Sequence, residues 1–216
     1  MNIFVTDPSP TVSAQVLPDK HVVKMPLETC QMLSIVCSEK WGHGYGVLHK
    51  KDGTPYSTDK GAFRNHPCTV WANQCLENTW WLLAHGMALC EEYTHRFDKV
   101  HSCEKTILEA GNMIPFTMDR PTSFTRAMPD EFKNPLISTF TAYKEYIRSK
   151  PWVASNYRRD PSRKPWWVRL NYGECGSMRW VRSLMRRPRG MIILLSLYDL
   201  LSFLLISSLI FLLLAE

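Results

Sequence analysis

The sequence predicts a mainly α fold, on three observations. Apolar residues recur at helical spacing over several stretches, proline and glycine punctuate the chain between them, and no run beyond the first few residues alternates convincingly enough for a strand. A chain of 216 residues, 45% hydrophobic and 12% aromatic, suits one helical domain with a sizeable core plus an appendage. It is too apolar to be disordered by default.

A short apolar start, Ile3 to Val5, leads through the turn-rich TDPSP into a helix around Thr11–Cys37, open to a break. Ser38–Asn65, containing WGHGYGVLHKKDGTPYSTDKG, predicts a loop, because few of its side chains can offset the ordering of the backbone by burial. A long helix follows over Cys68–Phe97, with Pro67 suited to its first turn. Another spans Glu104–Ala110 and is expected to end at Gly111 and Asn112. The run IPFTMDRPTSFTRAMPDEF reads as extended surface chain. A last helix covers Pro135–Lys150, and a basic, aromatic stretch runs from Trp152 to Trp167.

At Met191 the composition changes. MIILLSLYDLLSFLLISSLIFLLLA, residues 191–215, carries Asp199 as its only charge and is long enough to cross a hydrocarbon layer of about 30 Å as a helix. The arginines of the preceding RRPRG would keep the N-terminal domain on the cytoplasmic side, making this a candidate tail anchor. A buried or interfacial helix, or a tail from a shifted reading frame, are the alternatives. The expected organisation is a helical domain at 1–167, a basic linker at 168–190 and the hydrophobic helix at 191–215.

The net charge of +6 is uneven: +3 over residues 1–167, +5 over 168–190 and −2 thereafter. So mild an excess in the main domain allows a polyanionic partner without requiring one. Seven cysteines form no CxxC pair, which argues against a zinc ribbon or a disulfide framework. Asp7 and three prolines within the first eighteen residues leave no secretory signal there, so free thiols in a reducing compartment are expected.

Chemistry enters in DKHVVKMPLETCQML. His21, Lys24, Glu28 and Gln31 are spaced 3, 4 and 3 apart, one face of a helix, while apolar residues occupy the other faces. A helix that is greasy nearly all round is buried. Its polar stripe must then line a cleft or a hydrogen-bonded seam, since an unpaired buried carboxylate is heavily penalised. Lys24 and Glu28 either satisfy each other or hold a carboxylate for chemistry. Pro26 kinks this helix or starts a new one, and a new start would set Glu28 in the first turn beside free N–H groups.

Elsewhere, His66, His95 and Glu91 could be assembled into a metal site on paper, but no HExxH or clustered Cys/His spacing supports it, and none is expected. Trp71, Cys75, Leu82 and Leu89 read as core. In SNYRRDPSRKPWWVRLNYG, Arg158, Arg159, Arg163 and Lys164 interleave with Trp166 and Trp167. Such a segment either neutralises phosphates and stacks on bases, worth about 1–3 kcal/mol per base, or flanks the apolar tail at a membrane surface.

Taken in order, these residues resemble the small helical pyrimidine dimer DNA glycosylase/AP lyases of phages and viruses. His21 with Glu28 seven positions later, NHPCTVW…LCEEYTHRF, and KPWWVRLNYG are each similar to a segment of that family, over roughly Met1 to Gly173. The chain also looks close to phage proteins sharing the DKHVVKM and NHPC motifs. The resemblance implies a compact single-domain helical bundle that acts on damaged or modified pyrimidines in double-stranded DNA, as a monomer, without a cofactor, in the host cytoplasm. In the family an unprotonated N-terminal amine attacks the sugar and a carboxylate stabilises the cationic sugar that results. Carried over, the carboxylate is Glu28. His21 and Lys24 would orient it or meet phosphate, with His66 also toward the nucleic acid. The family exposes a small residue after losing its initiator Met; Asn2 is bulky, so the amine here falls to Met1. Two other readings stand beside this one: a nucleic-acid-binding module without catalysis, and a membrane-anchored interaction protein whose basic segment reads lipid headgroups.

Overall fold

The computed structural model describes residues 1–169, which form one compact unit of seven α-helices without a strand. The expected basic linker beyond Arg169 and the expected hydrophobic helix 191–215 lie outside the described residues. Among the described residues no helix is long and apolar enough to cross a membrane.

The first expected helix is two. Helix α1 (Pro10–Gln15) stops at Val16, and α2 (Asp19–Cys37) starts after Pro18, whose extended backbone makes the N-cap. Pro26 does not restart it: α2 runs through that residue, so Glu28 sits mid-helix and not beside a helix start. The second expected helix also divides, into α3 (Pro67–Ala72) and α4 (Leu76–Phe97). Side chains replace the missing helical bonds at this break. Asn78 donates to the Trp71 carbonyl at 2.8 Å and Thr79 to the Ala72 carbonyl at 2.8 Å, so the end of α3 is satisfied by the first turn of α4.

Helix α5 (Glu104–Met113) runs past Gly111, where the expected stop lay. Packing of Ile107 and Ala110 in the core outweighs the roughly 1 kcal/mol helix penalty of one glycine. Helix α6 (Thr139–Arg148) starts four residues later than expected, because Ser138 accepts from the Thr141 N–H at 3.1 Å and caps it there. The final short helix, α7, is Trp166–Arg169. Residues 38–66 form the expected loop, tied to α5 where Thr106 donates to the His49 carbonyl at 2.6 Å.

Helix α2 packs on α4, α1 and α5 pack on α4, and α5 also crosses α2. At the α2–α4 crossing, a Cβ on Gly86 would fall 2.6 Å from Thr29 Cγ2, so only glycine permits the approach. Beneath the start of α2, the fully buried Arg96 guanidinium bridges three elements. Its Nε donates to Glu92 at 2.7 Å, and its two Nη atoms reach Asp19 and the carbonyls of Leu17 and Gln15 at 2.8–3.0 Å. Asp19 in turn accepts from the backbone N–H groups of Arg158 and Arg159 at 2.8 and 3.2 Å, clipping the C-terminal segment to the head of α2.

Candidate active site

Three members of the polar row on α2, His21, Lys24 and Glu28, face a pocket of about 340 Å³, whose other lining residues are Met1, Asn2, Phe4, Lys20, Met25, Tyr146 and Trp152. Its centre is Glu28, only 5% exposed and surrounded by donors. The Asn2 backbone N–H donates to Oε2 at 2.8 Å, the Met1 amine lies 3.8 Å from the same oxygen, and Lys24 Nζ is 3.0 Å from Oε1. The Lys24 side chain is itself 67% exposed, so the pair joins a buried carboxylate to a cation in open solvent.

The chain start is folded into place by its own side chains. Asn2 Oδ1 accepts from the N–H groups of Ile3 and Phe4 at 2.8 and 3.0 Å, while its Nδ2 donates to the Ala127 carbonyl at 2.7 Å. The Ala127 N–H donates to the Tyr143 hydroxyl of α6 at 3.1 Å. Phe4 takes a φ of 40°, uncommon for a residue with a Cβ, and its ring stacks on His21 at 4.1 Å between centroids. Burial, followed by the charges of Lys150 and Lys24, pushes the His21 imidazole down to about 4, so it is neutral at physiological pH.

His66 caps α3, its Nδ1 accepting from the Cys68 N–H at 3.2 Å. Burial lowers its proton affinity first and the positive N-terminus second, with Glu28 opposing them, which places it in the field of the same amine and carboxylate. Gln31 is not among the residues lining the pocket. His95 bonds Asp160 at 2.9 Å, and among the described residues no group of three His, Cys, Asp or Glu side chains could hold a metal.

The basic segment behaves differently from the α2 row. Arg163 is bound to Glu92 at 3.0 Å, Lys164 donates to the Ala154 carbonyl at 2.7 Å, and Arg158 to the Ser155 carbonyl at 3.3 Å. The Arg159 guanidinium lies over the Phe97 ring at 5.1 Å. Trp167, 6% exposed, is core, whereas Trp166 is 70% exposed and is the ring of this pair open to a stacking partner. Sequence reasoning missed Asn2, Phe4, Lys20, Tyr146 and Trp152. Lys20, one residue before His21, carried a local signal, and Trp152 heads the basic, aromatic stretch; nothing local tied Phe4 or Tyr146 to the α2 row.

Fold and pocket together define a helical protein that presents an α-amine and a carboxylate in one cleft. The family model of pyrimidine dimer DNA glycosylase matches residues 1–105, so the resemblance read from the sequence holds over that stretch, and a DNA-glycosylase-like function with DNA as partner is what it supports. Met1, His21, Lys24, Glu28 and His66 fall within the matched residues; Tyr146, Trp152 and the segment 158–167 fall outside them. No curated protein and no solved structure matches the chain.

Proposed function

We propose that the chain is a DNA glycosylase and AP lyase for damaged or modified pyrimidines, with Glu28 as its essential carboxylate and the Met1 α-amine as nucleophile. The observation that carries this reading is the 3.8 Å separation of that amine from Glu28 Oε2 within one pocket. The unprotonated amine forms a bond to C1′ of the target sugar. The base leaves with the electron pair of the glycosidic bond and takes up a proton; the C1′–O4′ bond of the sugar ring then opens, O4′ taking up a proton, to leave a protonated imine between C1′ and the Met1 nitrogen. Glu28 stabilises the positive charge that develops on the sugar. Loss of a C2′ proton then expels the 3′ phosphate and nicks the strand. Lys24, exposed beside the carboxylate, and His66 would meet the flanking phosphates, a role supported by the exposure of Lys24 and by the influence of the amine and Glu28 on His66.

Borohydride trapping of the full chain on DNA with an abasic site tests the proposal. The expected result is a covalent adduct that peptide mapping assigns to Met1, accompanied by strand nicking. No adduct and no nicking would remove the lyase claim, and tight, salt-sensitive binding alone would make the protein a nucleic-acid-binding module. The apolar residues 191–215 carry a separate proposal of membrane anchoring, which fractionation of the full chain tests.

A further inference from the structure

We propose that Phe63 is a wedge, whose ring enters the base stack of duplex DNA at the step under attack and fills the place that an extruded nucleotide leaves. This rests on the reading of the Glu28 pocket as the site of DNA chemistry, and goes beyond it by assigning a residue outside that pocket to opening the duplex.

Among the described residues, three other than glycine have a positive φ: Phe4, Phe63 and Asp98. Two are accounted for within the fold. Phe4 is buried and stacks on His21, and Asp98 ends α4 in the left-handed conformation common at helix C-termini. Phe63, at a φ of 69°, has no such account. Its ring is 49% exposed and makes no ring contact among the described residues. A left-handed backbone at a bulky residue and an aromatic ring left in water both cost stability, and nothing inside the protein offsets either. A partner that covers the ring would.

The turn beneath Phe63 is braced. The Gly61 N–H donates to the Thr58 carbonyl at 2.8 Å and the Arg64 N–H to the Gly61 carbonyl at 3.1 Å. Trp41 Nε1 donates to the same Thr58 carbonyl at 2.7 Å, and a Cβ on Gly61 would fall 2.6 Å from the Trp41 ring, so the indole lies directly against the turn. The Arg64 guanidinium covers that ring at 4.5 Å and donates to the carbonyls of Lys60 and Gly61. A ring pushed between stacked bases needs such a backing, because a loose loop would yield before the stack does.

The same turn is tied to the chemistry. The His66 N–H donates to the Phe63 carbonyl at 3.0 Å, and His66 is the cap of α3 that feels the Met1 amine and Glu28. Lys60 and Arg64, both exposed, flank Phe63 with Asp59 as the one acid in Thr58–His66, a balance suited to the phosphates on either side of a base step. Phenylalanine is among the side chains that wedge between base steps and unstack them. A nucleotide turned out toward the amine leaves a place in the stack that this ring can hold open.

The test uses the full chain and two DNAs of one sequence, each carrying a tetrahydrofuran abasic analogue beside a 2-aminopurine: the duplex, and the single strand alone. Wild type should raise the 2-aminopurine emission of the duplex as the step opens. Phe63→Ala should lower the ratio of duplex to single-strand affinity about 5- to 150-fold, the equivalent of one lost stack, and abolish the rise; Phe63→Leu should keep part of both. Phe63→Gly, free of the backbone strain, should melt no lower than Phe63→Ala and still lose the ratio, which separates the ring from the fold. No rise with wild type, an alanine variant that keeps the ratio, or a glycine variant that recovers it would overturn the inference. Borohydride trapping on abasic DNA distinguishes the two readings. Wild type that traps while the Phe63 variants keep the ratio sinks the wedge alone, and a ratio that depends on Phe63 without trapping sinks the amine chemistry and leaves the wedge.

Discussion

Replacing Arg96 by methionine removes the cation on which the head of α2 rests. The guanidinium is fully buried and supplies bonds to Glu92, Asp19 and two backbone carbonyls. Without it, Glu92 keeps Arg163 at 3.0 Å, and Asp19 keeps the two N–H groups of Arg158 and Arg159, but the carbonyls of Gln15 and Leu17 lose their donor in the interior. Breaking a buried pair by removing one partner costs about 3–5 kcal/mol, and the surviving partners put this case near 3. At about 2–4 °C per kcal/mol for a domain of this size, the melting temperature should fall by roughly 6–12 °C. Arg96→Lys should fall between the two, because one ammonium cannot span a fork that reaches three elements at once. Thermal unfolding of the full chain by circular dichroism, with a urea titration to check that the slope is unchanged, measures both variants. A drop of less than about 3 °C for the methionine variant, or a lysine variant equal to wild type, would refute the assignment of Arg96 as the anchor of α2.

Glu28→Gln keeps an acceptor for the Asn2 N–H but removes the negative charge, so single-turnover nicking of abasic DNA should slow by about 10²- to 10⁴-fold while the fold survives. His21 and His85 are held neutral by burial, at about 4 and about 3 against 6.5 when unfolded. Stability that is complete above pH 6.5 should therefore be lost as the pH falls toward 4, His21 alone withdrawing up to about 3 kcal/mol, and urea midpoints across that window should flatten in His85→Phe. Gly86→Ala should destabilise by about 1–3 kcal/mol despite the better helix propensity of alanine, because the new methyl meets Thr29; pairing it with Thr29→Ser should recover part of the loss in a melting experiment.

How much of this was legible depends on how local each signal is. The side chains of His21, Lys24 and Glu28 repeat at one helical face, and the pocket they line is where that pattern placed it. The first helix read as open to a break but not at Leu17, and the break at Asn73–Cys75 was not readable. The carbonyls at both breaks are satisfied by Arg96, Asn78 and Thr79, residues whose role exists only once the chain is folded. Tyr146 and Trp152 lie more than a hundred residues from Glu28, beyond any periodicity. The two neighbouring tryptophans in KPWW teach the same lesson. Prolines and charges around them argued for an exposed segment, yet backbone bonds from Arg158 and Arg159 to Asp19 hold that segment against the core, and one ring is buried while the other stays open.

The backbone at Phe4 carries the last step. A φ of 40° at a bulky residue costs on the order of 1–3 kcal/mol and persists only where surrounding contacts over-determine it. Here those contacts are the Asn2 side chain, which bonds the next two N–H groups, and the stack of Phe4 on His21. An extended chain would have no use for that turn. Bent in this way, the first four residues deliver the Met1 amine and the Asn2 N–H to Glu28 and the Phe4 ring to the pocket wall, so the strain sits where the N-terminus meets the carboxylate. The geometry of Asn2 thus matters as much to the amine as Glu28 does. Asn2→Leu, bulky enough to leave Met1 in place, should keep the α-amine and the carboxylate but loosen their approach, lowering the trapping yield on abasic DNA more than tenfold and raising the mobility of the N-terminal amides in hydrogen exchange. Full trapping with an unprotected N-terminus would mean that the turn does not position the amine.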